Sequence, residues 1–344
     1  MKRFFIYFLT FLLVCFIVPA LLTKRNIKNF SENQVQETSQ KDAQQMKQKG
    51  ENENNLSYTY TNYGTIKLLH KSTNQVEEIP IDTYLCNVVS AEMPASYEIE
   101  ALKAQAIVAR TYTIYKIRNK KHEEADICDD STCCQAWVSK EDRLAKWEES
   151  SRESNWKKIE QCVNDTKGKI ITYLNEPINA FFHSNSGGIT EIPVNVWGGN
   201  NLPYLQSVET AGEEGYSQYS SEVEITNEDL VNKLKERYQD IQIDFSNNDD
   251  IKIIEYTESN RVKTIKFGNY NISGVEARSM FGLKSTNFEI IREAEKVKFL
   301  VKGYGHGVGM SQTGADSMAK EGKNYEDIIN HFYQDVEIKD INSL

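Results

Sequence analysis

The stretch IDTYLCNVVSAEMPASYEIEALKAQAIVARTYTIYKIR, residues 81–118, contains the pattern that decides the fold. Its first third has apolar residues at three- and four-residue spacing, which predicts a short helix capped by Asp82. Pro94 disfavours helical backbone at the residue before it, so this helix should end at about Glu92. A second helix is predicted over residues 99–117, where small residues at packing positions would allow close approach to a neighbour. The sequence therefore predicts a pair of adjacent helices.

Glu92 is the unusual residue of this pattern, because it shares one side of the first helix with Leu85, Val88 and Val89. Burial would penalise its charged form, and the partial negative charge at the helix C-terminus would oppose that form further. Both effects predict a raised pKa, which a general acid needs in order to hold its proton near neutral pH. The residues alone also allow a structural carboxylate that pairs with Arg110 or with a lysine.

Strands and further helices alternate over the rest of the chain. The predicted strands are residues 64–71 and 75–81, which form a hairpin, residues 169–175 and 179–185, which a turn at residues 175–177 joins, and residues 296–303, which run into a glycine loop. The predicted helices are residues 227–238, with Asn227 as the cap, and residues 324–333. The fold class predicted from this order is α+β, with mixed β-sheets and two lobes or a core sheet with an insertion.

The first 57 residues differ in composition from the rest. Residues 4–23 are uncharged and rich in Phe, Leu, Ile and Val, over about the length that a helix needs to cross a membrane. A cleaved signal peptide is the alternative, but the apolar run is long and no small-x-small cleavage site follows it. The polar composition of residues 31–57 predicts a flexible tether. The predicted organisation is a stub (1–3), a transmembrane anchor (4–23), a linker (24–57) and one folded domain (58–344).

Composition and missing motifs exclude several classes of function. The chain has 50 acidic and 40 basic residues and a net charge of -10, which argues against binding to nucleic acid. A metalloprotease of the HExxH type and an esterase with a GxSxG elbow are excluded, since neither motif occurs. The charge balance suits a neutral polymer or a small substrate better.

Several long motifs together resemble the stage II sporulation protein D family, which comprises lytic transglycosylases of endospore-forming bacteria and amidase-enhancer-like relatives. They are SAEMPASYEIEALKAQAIVARTYT (90–113), AFFHSNSGG (180–188), VWGG (196–199), PYLQSV (203–208) and KGYGHGVGMSQTGADSMAKEG (302–322). The resemblance implies a single-pass cell-membrane protein whose catalytic domain lies in the space between mother cell and forespore. It also implies peptidoglycan as the substrate.

The resemblance carries the family's catalytic glutamate, in the AEMP motif, onto Glu92 and its helix pair. Glu92 would protonate the glycosidic oxygen after N-acetylmuramic acid and then accept the proton of that sugar's 6-hydroxyl, which closes a 1,6-anhydro ring. The implied role is septal wall remodelling and engulfment during endospore formation. The implied partners are the sporulation amidase/endopeptidase and a membrane scaffold, stage II sporulation proteins P and M. A non-catalytic activator of a cell-wall amidase and a glycan-binding scaffold are the alternative functions.

Two of these motifs supply candidates for substrate binding in a glycan-binding groove between the lobes. The candidates are His183, Ser184, Asn185, Ser186, Tyr304, His306 and Gln312. Their side chains can hydrogen-bond sugar hydroxyl and acetamido groups, and the neighbouring glycines would let a glycan chain approach the backbone closely. The alternative for each residue is a tight structural turn.

A cluster of cysteine and histidine residues follows the second helix: His122, Cys128, Cys133 and Cys134. Three thiolates and one imidazole complete a tetrahedral zinc site and leave no position for a catalytic water, so the predicted zinc is structural. A disulfide is the alternative, although it would leave one cysteine unpaired, and the adjacent Cys133 and Cys134 are strained partners. The family resemblance favours zinc, because some clostridial members are expected to bind it in this loop, with a second histidine at the position of Cys133.

Overall fold

Nine α-helices and fourteen β-strands occur in the part of the chain that this computed structural model describes, residues 60–343. The helices are α1 (Ile81–Glu92), α2 (Ile99–Arg118), α3 (Lys140–Lys146), α4 (Glu149–Asp165), α5 (Pro193–Trp197), α6 (Asn227–Lys235), α7 (Gly274–Phe281), α8 (Gln312–Lys320) and α9 (Tyr325–Phe332). The strands are β1 (Thr65–His70), β2 (Gln75–Pro80), β3 (Ile127–Cys128), β4 (Lys169–Tyr173), β5 (Glu176–Pro177), β6 (Phe182–His183), β7 (Ser220–Thr226), β8 (Ile251–Tyr256), β9 (Val262–Phe267), β10 (Tyr270–Ser273), β11 (Asn287–Arg292), β12 (Lys296–Lys302), β13 (Met310–Ser311) and β14 (Glu337–Asp340). The α+β class is confirmed, while the two-lobed arrangement stays a prediction.

The strands form five small sheets in the described residues. Their strand orders are β2-β1-β3, β14-β4-β5, β13-β6, β10-β9-β8 and β11-β12-β7. The predicted hairpin of β1 and β2 is confirmed, with Ile66 opposite Ile79. The predicted strand over residues 179–185 is wrong for most of its length. Only Phe182 and His183 pair, in parallel with β13, because the backbone beyond them turns to make other hydrogen bonds.

The helix pair is confirmed, but two predicted caps are wrong. Helix α1 begins at Ile81, directly after Pro80, so Asp82 lies in its first turn rather than capping it. Helix α1 ends at Glu92 and Met93 is extended, as the following proline predicts. At α6 the cap is Thr226, whose hydroxyl accepts a hydrogen bond from the Asp229 N–H at 3.0 Å, and Asn227 is the first helical residue.

Two large hydrophobic cores and one small cluster, formed by Tyr63, Ile114, Ile170 and Ile341, stabilise the described part of the chain. The first is formed mainly by α1, α2 and α4 together with α8 and α9. The second lies between strands β7–β12 and helices α6 and α7. Within the first core, the buried guanidinium of Arg110 donates to the carbonyl oxygens of Thr166 (2.8 Å), Lys169 (3.2 Å) and Val163 (3.2 Å). Arg110 therefore ties α2 to the end of α4.

The prediction of a transmembrane helix in a single-pass membrane protein is corrected by the helices of the structure. Residues 60–343 contain no helix that is both long and apolar enough to cross a membrane. The longest, α2, has 20 residues but carries charged side chains, including Lys103 and Arg110. The predicted stub, anchor and linker, residues 1–57, lie outside the described residues.

Candidate active site and metal centre

Glu92 is held at the C-terminal end of α1 by two neutral hydrogen-bond donors. The backbone N–H of Ala136 donates to Oε1 at 2.7 Å, and the side-chain amide of Gln312 donates to Oε2 at 3.2 Å. Among residues 60–343, no lysine, arginine or histidine nitrogen lies within salt-bridge distance of this carboxylate. Arg110, the partner that a structural role would require, lies 3.9 Å from Asp82 instead. Glu92 is therefore a half-buried carboxyl group that forms no ion pair with any residue that the structure describes.

The environment of Glu92 favours its protonated form. Burial raises the pKa of this carboxyl group, and the hydrogen bonds from Ala136 and Gln312 lower the pKa by less, so the net shift is upward. The absence of a neighbouring cation in the described residues removes the interaction that most often keeps a buried carboxylate charged. Glu92 is therefore able to carry a proton at a higher pH than an exposed glutamate does.

Gln312 connects Glu92 to two other helices. It is the first residue of α8, and the preceding Ser311 caps that helix by accepting a hydrogen bond from the Gly314 N–H at 3.3 Å. The Gln312 amide also lies 3.5 Å from Oε1 of Gln105, a buried residue of α2. Helices α1, α2 and α8 therefore meet at the Glu92 carboxyl group.

Glu213 is a buried carboxylate that the sequence does not indicate. It accepts hydrogen bonds from the backbone N–H groups of Ser186 (3.1 Å) and Gly188 (3.1 Å) and from the hydroxyl groups of Ser186, Thr210 (2.8 Å), Ser311 and Thr313 (2.8 Å). Burial raises its pKa, but these hydrogen bonds lower it by more, so Glu213 is held in its charged form. Glu213 joins the loop of residues 184–188 to the start of α8. The only signal for this carboxylate in the sequence is the serine and threonine residues of the motifs 180–188 and 302–322, whose hydroxyl groups need a hydrogen-bond acceptor.

The predicted substrate-binding residues differ in their exposure and in the hydrogen bonds that they make. Those bonded within the protein are Asn185, whose amide donates to the Thr313 hydroxyl at 2.8 Å, Ser186, which donates to Glu213, and Ser184, whose carbonyl oxygen accepts from Thr313. Tyr304 is 41% exposed and can face a ligand, whereas Gln312 is buried and bonded to Glu92. Binding of substrate by any of the seven stays a prediction.

His183 and His306 lie side by side, with ring centroids 5.7 Å apart. His183 Nδ1 lies 3.1 Å from the carbonyl oxygen of Val308, which can only accept, so Nδ1 carries the proton. Its Nε2 is buried and has no hydrogen-bond partner in the described residues. Burial and the nearby Arg261 lower the pKa of His183 to about 3, so this imidazole is neutral. His306 Nδ1 accepts a hydrogen bond from the Val308 N–H at 3.0 Å.

The cluster of His122, Cys128, Cys133 and Cys134 can hold a metal ion. Its four ligand atoms lie within 4.8 Å of one another. His122 Nε2 is 3.7 Å from the sulfurs of both Cys133 and Cys134, and those two sulfurs are 3.9 Å apart. A tetrahedral zinc ion with bonds of about 2.1–2.3 Å requires ligand atoms roughly 3.5–3.8 Å apart. The donor set and its spacing therefore fit zinc.

A disulfide is not formed in this cluster. All five cysteines in the described residues are free, and 3.9 Å between the sulfurs of Cys133 and Cys134 far exceeds a disulfide bond of about 2.05 Å. Burial and the nearby Lys71 and Lys121 lower the pKa of His122, which keeps its imidazole in the neutral form that binds metals.

The metal-ligand cluster is only two residues away from the donor to Glu92. Gln135 is buried between them, and its amide donates to the hydroxyl groups of Tyr84 (2.8 Å) on α1 and Thr113 (3.0 Å) on α2. Ala136 follows and donates to Glu92. The segment 133–136 is thus fixed by the cluster at one end and by the helix pair at the other.

Three cavities lie elsewhere on the described residues. One, of about 450 Å³, is lined by residues of β7, β11 and β12. The second, of about 550 Å³, is lined by Asp82, Asn87 and Trp137 among others. The third, of about 430 Å³, is lined by Asp244 and Asn269 among others. Glu92 lines none of the three, so the glycan-binding groove stays a prediction.

Comparison with known proteins identifies related chains. Residues 69–173 match the family model SpoIID, described as stage II sporulation protein. Stage II sporulation protein D of Bacillus subtilis is 36% identical over 276 residues, covering 79% of this chain and 78% of that protein. The protein of the same name from Bacillus amyloliquefaciens is 34% identical over 283 residues, covering 81% and 80%. The amidase enhancer of Bacillus subtilis is 30% identical over 298 residues, covering 72% of this chain and 39% of that protein.

Proposed function

Because this chain belongs to the stage II sporulation protein D family, we propose that it is a peptidoglycan lytic transglycosylase with Glu92 as its catalytic acid and base. The observation that carries the proposal is the environment of Glu92. A half-buried carboxyl group with a raised pKa, two neutral donors and no cation in the described residues is suited to giving up and regaining a proton.

One carboxyl group is sufficient for this reaction. Protonated Glu92 would donate its proton to the oxygen that links N-acetylmuramic acid to the next N-acetylglucosamine. The resulting carboxylate would accept the proton of the 6-hydroxyl of the muramoyl residue as that oxygen attacks C1 and closes a 1,6-anhydro ring. No water is consumed, and the nucleophile belongs to the same sugar, so a second carboxylate of the kind used by hydrolases is not required.

The two donors to Glu92 have distinct parts in this scheme. The Ala136 N–H fixes the direction of Oε1, because a backbone group cannot turn away. The buried Gln312 amide lies 3.2 Å from Oε2, and its second contact, with Gln105, would hold it there as the charge appears and disappears. Both donors stabilise the carboxylate that forms after the first proton transfer.

We also propose a structural zinc ion held by His122, Cys128, Cys133 and Cys134. Four protein ligands would fill a tetrahedral site, so the ion would supply no catalytic water and would act by stabilising the loop. In this protein the stabilised loop includes Ala136, whose N–H is bonded to Glu92. The proposed role of the ion is therefore to keep that donor in place.

The proposed substrate is the glycan of peptidoglycan, and the proposed role is remodelling of the septal wall during engulfment in endospore formation. The sporulation amidase/endopeptidase and a scaffold, stage II sporulation proteins P and M, are the proposed partners. A peptide-free glycan strand is the simplest substrate on which to test the chemistry.

The test is to digest peptide-free glycan with the purified protein and to identify the new ends by mass spectrometry. The protein and the control Glu228→Gln, which changes an exposed glutamate of α6, should both yield 1,6-anhydro-muramoyl ends. Glu92→Gln keeps an oxygen for the Ala136 N–H but cannot act as an acid, so its rate should fall by at least about a hundredfold. Equal product from Glu92→Gln, or reducing ends in place of anhydro ends, would refute the proposal.

The similarity to an amidase enhancer favours a second candidate, a non-catalytic activator of an amidase. This alternative predicts faster peptide release by the partner amidase in the presence of the protein, with no product from glycan alone. Under this alternative Glu92→Gln should stimulate the amidase as well as the unchanged protein does.

A further inference from the structure

One surface next to the Glu92 site combines exposed aromatic rings with unpaired cations. We call it the Tyr304 face and define it by Trp197, Arg278, Lys284, Tyr304 and His306. Trp197 is 51% exposed and Tyr304 41% exposed, although both are large aromatic residues. The Trp197 ring lies 5.0 Å from that of His306. Exposed flat rings such as these provide apolar surfaces against which sugar rings can stack.

The cations of this face have no acidic partner among the described residues. Lys284 Nζ lies 4.4 Å from the centroid of the Tyr304 ring, and Arg278 is half-buried, with its Nε donating to the Leu283 carbonyl oxygen at 3.4 Å. No carboxylate of residues 60–343 lies within salt-bridge distance of either side chain. Acidic residues outnumber basic ones in this chain by 50 to 40, so acidic partners are not in short supply. A half-buried guanidinium without a counter-ion is unfavourable, and a bound anion would offset that cost.

Arg261 lies beneath the face, and its acidic neighbours are the buried Glu191 and Glu213. Arg261 is fully buried, and its Nη2 donates to the carbonyl oxygen of Ser186 at 2.7 Å, while its Nε and Nη1 have no partner in the described residues. Burial, together with Arg261 and Arg278, lowers the pKa values of His183 and His306. The two histidines are therefore neutral, which leaves Arg278 and Lys284 as the cations of this face that can bind an anion.

The face is close enough to Glu92 to bind another part of the same glycan strand. His183 pairs with Ser311 across the β6–β13 ladder, and adjacent strands are about 4.8 Å apart. Gln312, which follows Ser311, donates to Glu92, and His306 lies beside His183. Glu92 is therefore connected to the Tyr304 face through only Gln312, Ser311 and His183.

We propose that the Tyr304 face is an anion subsite for the lactyl carboxylate of an N-acetylmuramic acid residue from which the stem peptide has been removed. Arg278 and Lys284 bind the carboxylate, and Trp197 and Tyr304 stack on neighbouring sugars. The proposal rests on the proposed function, since it takes peptidoglycan glycan as the ligand.

The chemistry of the strand selects this carboxylate. N-acetylglucosamine carries no charge, and the lactyl group of muramic acid is an uncharged amide as long as a peptide is attached. Removal of the peptide creates one carboxylate on every second sugar. A guanidinium and an ammonium group recognise such a group by charge-assisted hydrogen bonds. The face therefore selects glycan on which an amidase has already acted.

The test measures binding by calorimetry to the full-length protein carrying Glu92→Gln, so that the ligands are not cleaved. The ligands are a muramoyl-containing tetrasaccharide with free lactyl carboxylates, the same tetrasaccharide as its methylamide, the same tetrasaccharide with stem tripeptides, and neutral chitotetraose. We expect the free acid to bind at least about tenfold more tightly than the methylamide, with the difference shrinking as salt is added.

Variants of Arg278 and Lys284 test whether these two side chains cause the preference for the free acid. Adding Arg278→Gln and Lys284→Gln together should reduce the tenfold difference to about twofold and leave chitotetraose binding unchanged. Lys284→Gln alone changes an exposed side chain and should give an intermediate ratio, which keeps the test valid if the double variant is unstable. Lys233→Gln, an exposed lysine of α6, is the matched control and should retain the full difference.

Three results would overturn the subsite: equal affinity for free acid and methylamide, an unchanged ratio in both variants, or binding of the tripeptide form as tight as that of the free acid. The last result would assign the charge recognition to peptide carboxylates. If the unchanged protein forms anhydro ends but shows no preference for the free acid, the subsite fails alone. If the preference is present but no anhydro ends form, the proposed chemistry fails alone.

Discussion

Glu213→Gln is the perturbation that the structure predicts in most detail, because it removes one charge and almost no volume. The Glu213 carboxylate accepts six hydrogen bonds, from two backbone N–H groups and four hydroxyl groups. In the glutamine variant, the amide oxygen can still accept from the Ser186 N–H, and the amide nitrogen can take the place of the other carboxylate oxygen. The Gly188 N–H would then keep its second partner, the Ser186 hydroxyl at 3.0 Å. The backbone is therefore not orphaned, but the hydroxyl groups near the new amide nitrogen must turn or lose their acceptor.

The expected loss of stability follows from the charge on these bonds. A hydrogen bond to a charged group contributes about 1.5–3 kcal/mol and a neutral one about 0.5–1.5 kcal/mol, so each bond loses about 1 kcal/mol. The variant no longer buries a charge, and this gain offsets part of the stability that is lost over the six hydrogen bonds. We expect a net destabilisation of about 3 kcal/mol, which for a domain of this size lowers the melting temperature by roughly 6–12 °C.

The difference in stability between Glu213→Gln and the unchanged protein should depend on pH. The pKa of Glu213 is lowered in the folded state, so its contribution is present above the unfolded pKa of about 4.3 and is lost as the pH falls through the folded value. Thermal unfolding at pH 7 and at pH values below about 4 should therefore show a large difference between the two proteins that shrinks in acid. Glu214→Gln, at the exposed neighbouring position, is the control. A melting temperature for Glu213→Gln within 2 °C or so of the unchanged protein at pH 7 would contradict the reasoning.

Three further predictions concern the Glu92 site and the metal-ligand cluster. Because the pKa of Glu92 is raised and the acid form is required, the initial rate of glycan cleavage should fall as the pH rises through that pKa. Gln312→Ala removes a donor that stabilises the carboxylate, so the falling limb of the pH–rate profile should move to higher pH; a move to lower pH would count against the assignment. Purified protein should contain near-stoichiometric zinc by elemental analysis, and His122→Ala should lower both the zinc content and the melting temperature, whereas Cys162→Ser should retain the zinc. Metal-free protein with an unchanged melting temperature would remove the zinc proposal.

The parts of the fold that could be predicted from the sequence are those with strong local signals. Pro94 determines the end of α1, because it acts on the residue directly before it. The β1–β2 hairpin follows from two short apolar runs with a turn between them. The sequence determines the helix starts less closely, since Asp82 and Asn227 have capping side chains but lie just inside their helices, behind Pro80 and Thr226. Thr226 is itself a capping residue, and Pro80 precedes α1 without a side-chain cap, so capping side chains alone leave a helix start undetermined by one or two residues.

The parts that could not be predicted depend on contacts between distant residues. Glu213 is buried by segments that follow it or precede it by up to 100 residues, and nothing in its own surroundings in sequence predicts a buried carboxylate. The apolar run before residue 185 predicts a longer strand than the one that forms. The strand ends early because the backbone N–H groups of the next residues donate to Glu213 and to Tyr304 and not to a strand partner. Trp197 and His306 are far apart in the sequence, and their rings come within 5.0 Å only in the folded protein.

The half-buried Glu92 and the fully buried Glu213 have opposite pKa shifts, because they accept different numbers of hydrogen bonds. Burial raises the pKa of both carboxyl groups. Glu213 accepts six hydrogen bonds, whose sum outweighs burial and fixes the charge, so this residue is committed to holding its loop in place. Glu92 accepts only two, from Ala136 and Gln312, which is enough to orient the group and too little to keep it ionised. The difference in donors leaves Glu92 able to exchange a proton with a substrate, whereas the same side chain at position 213 cannot.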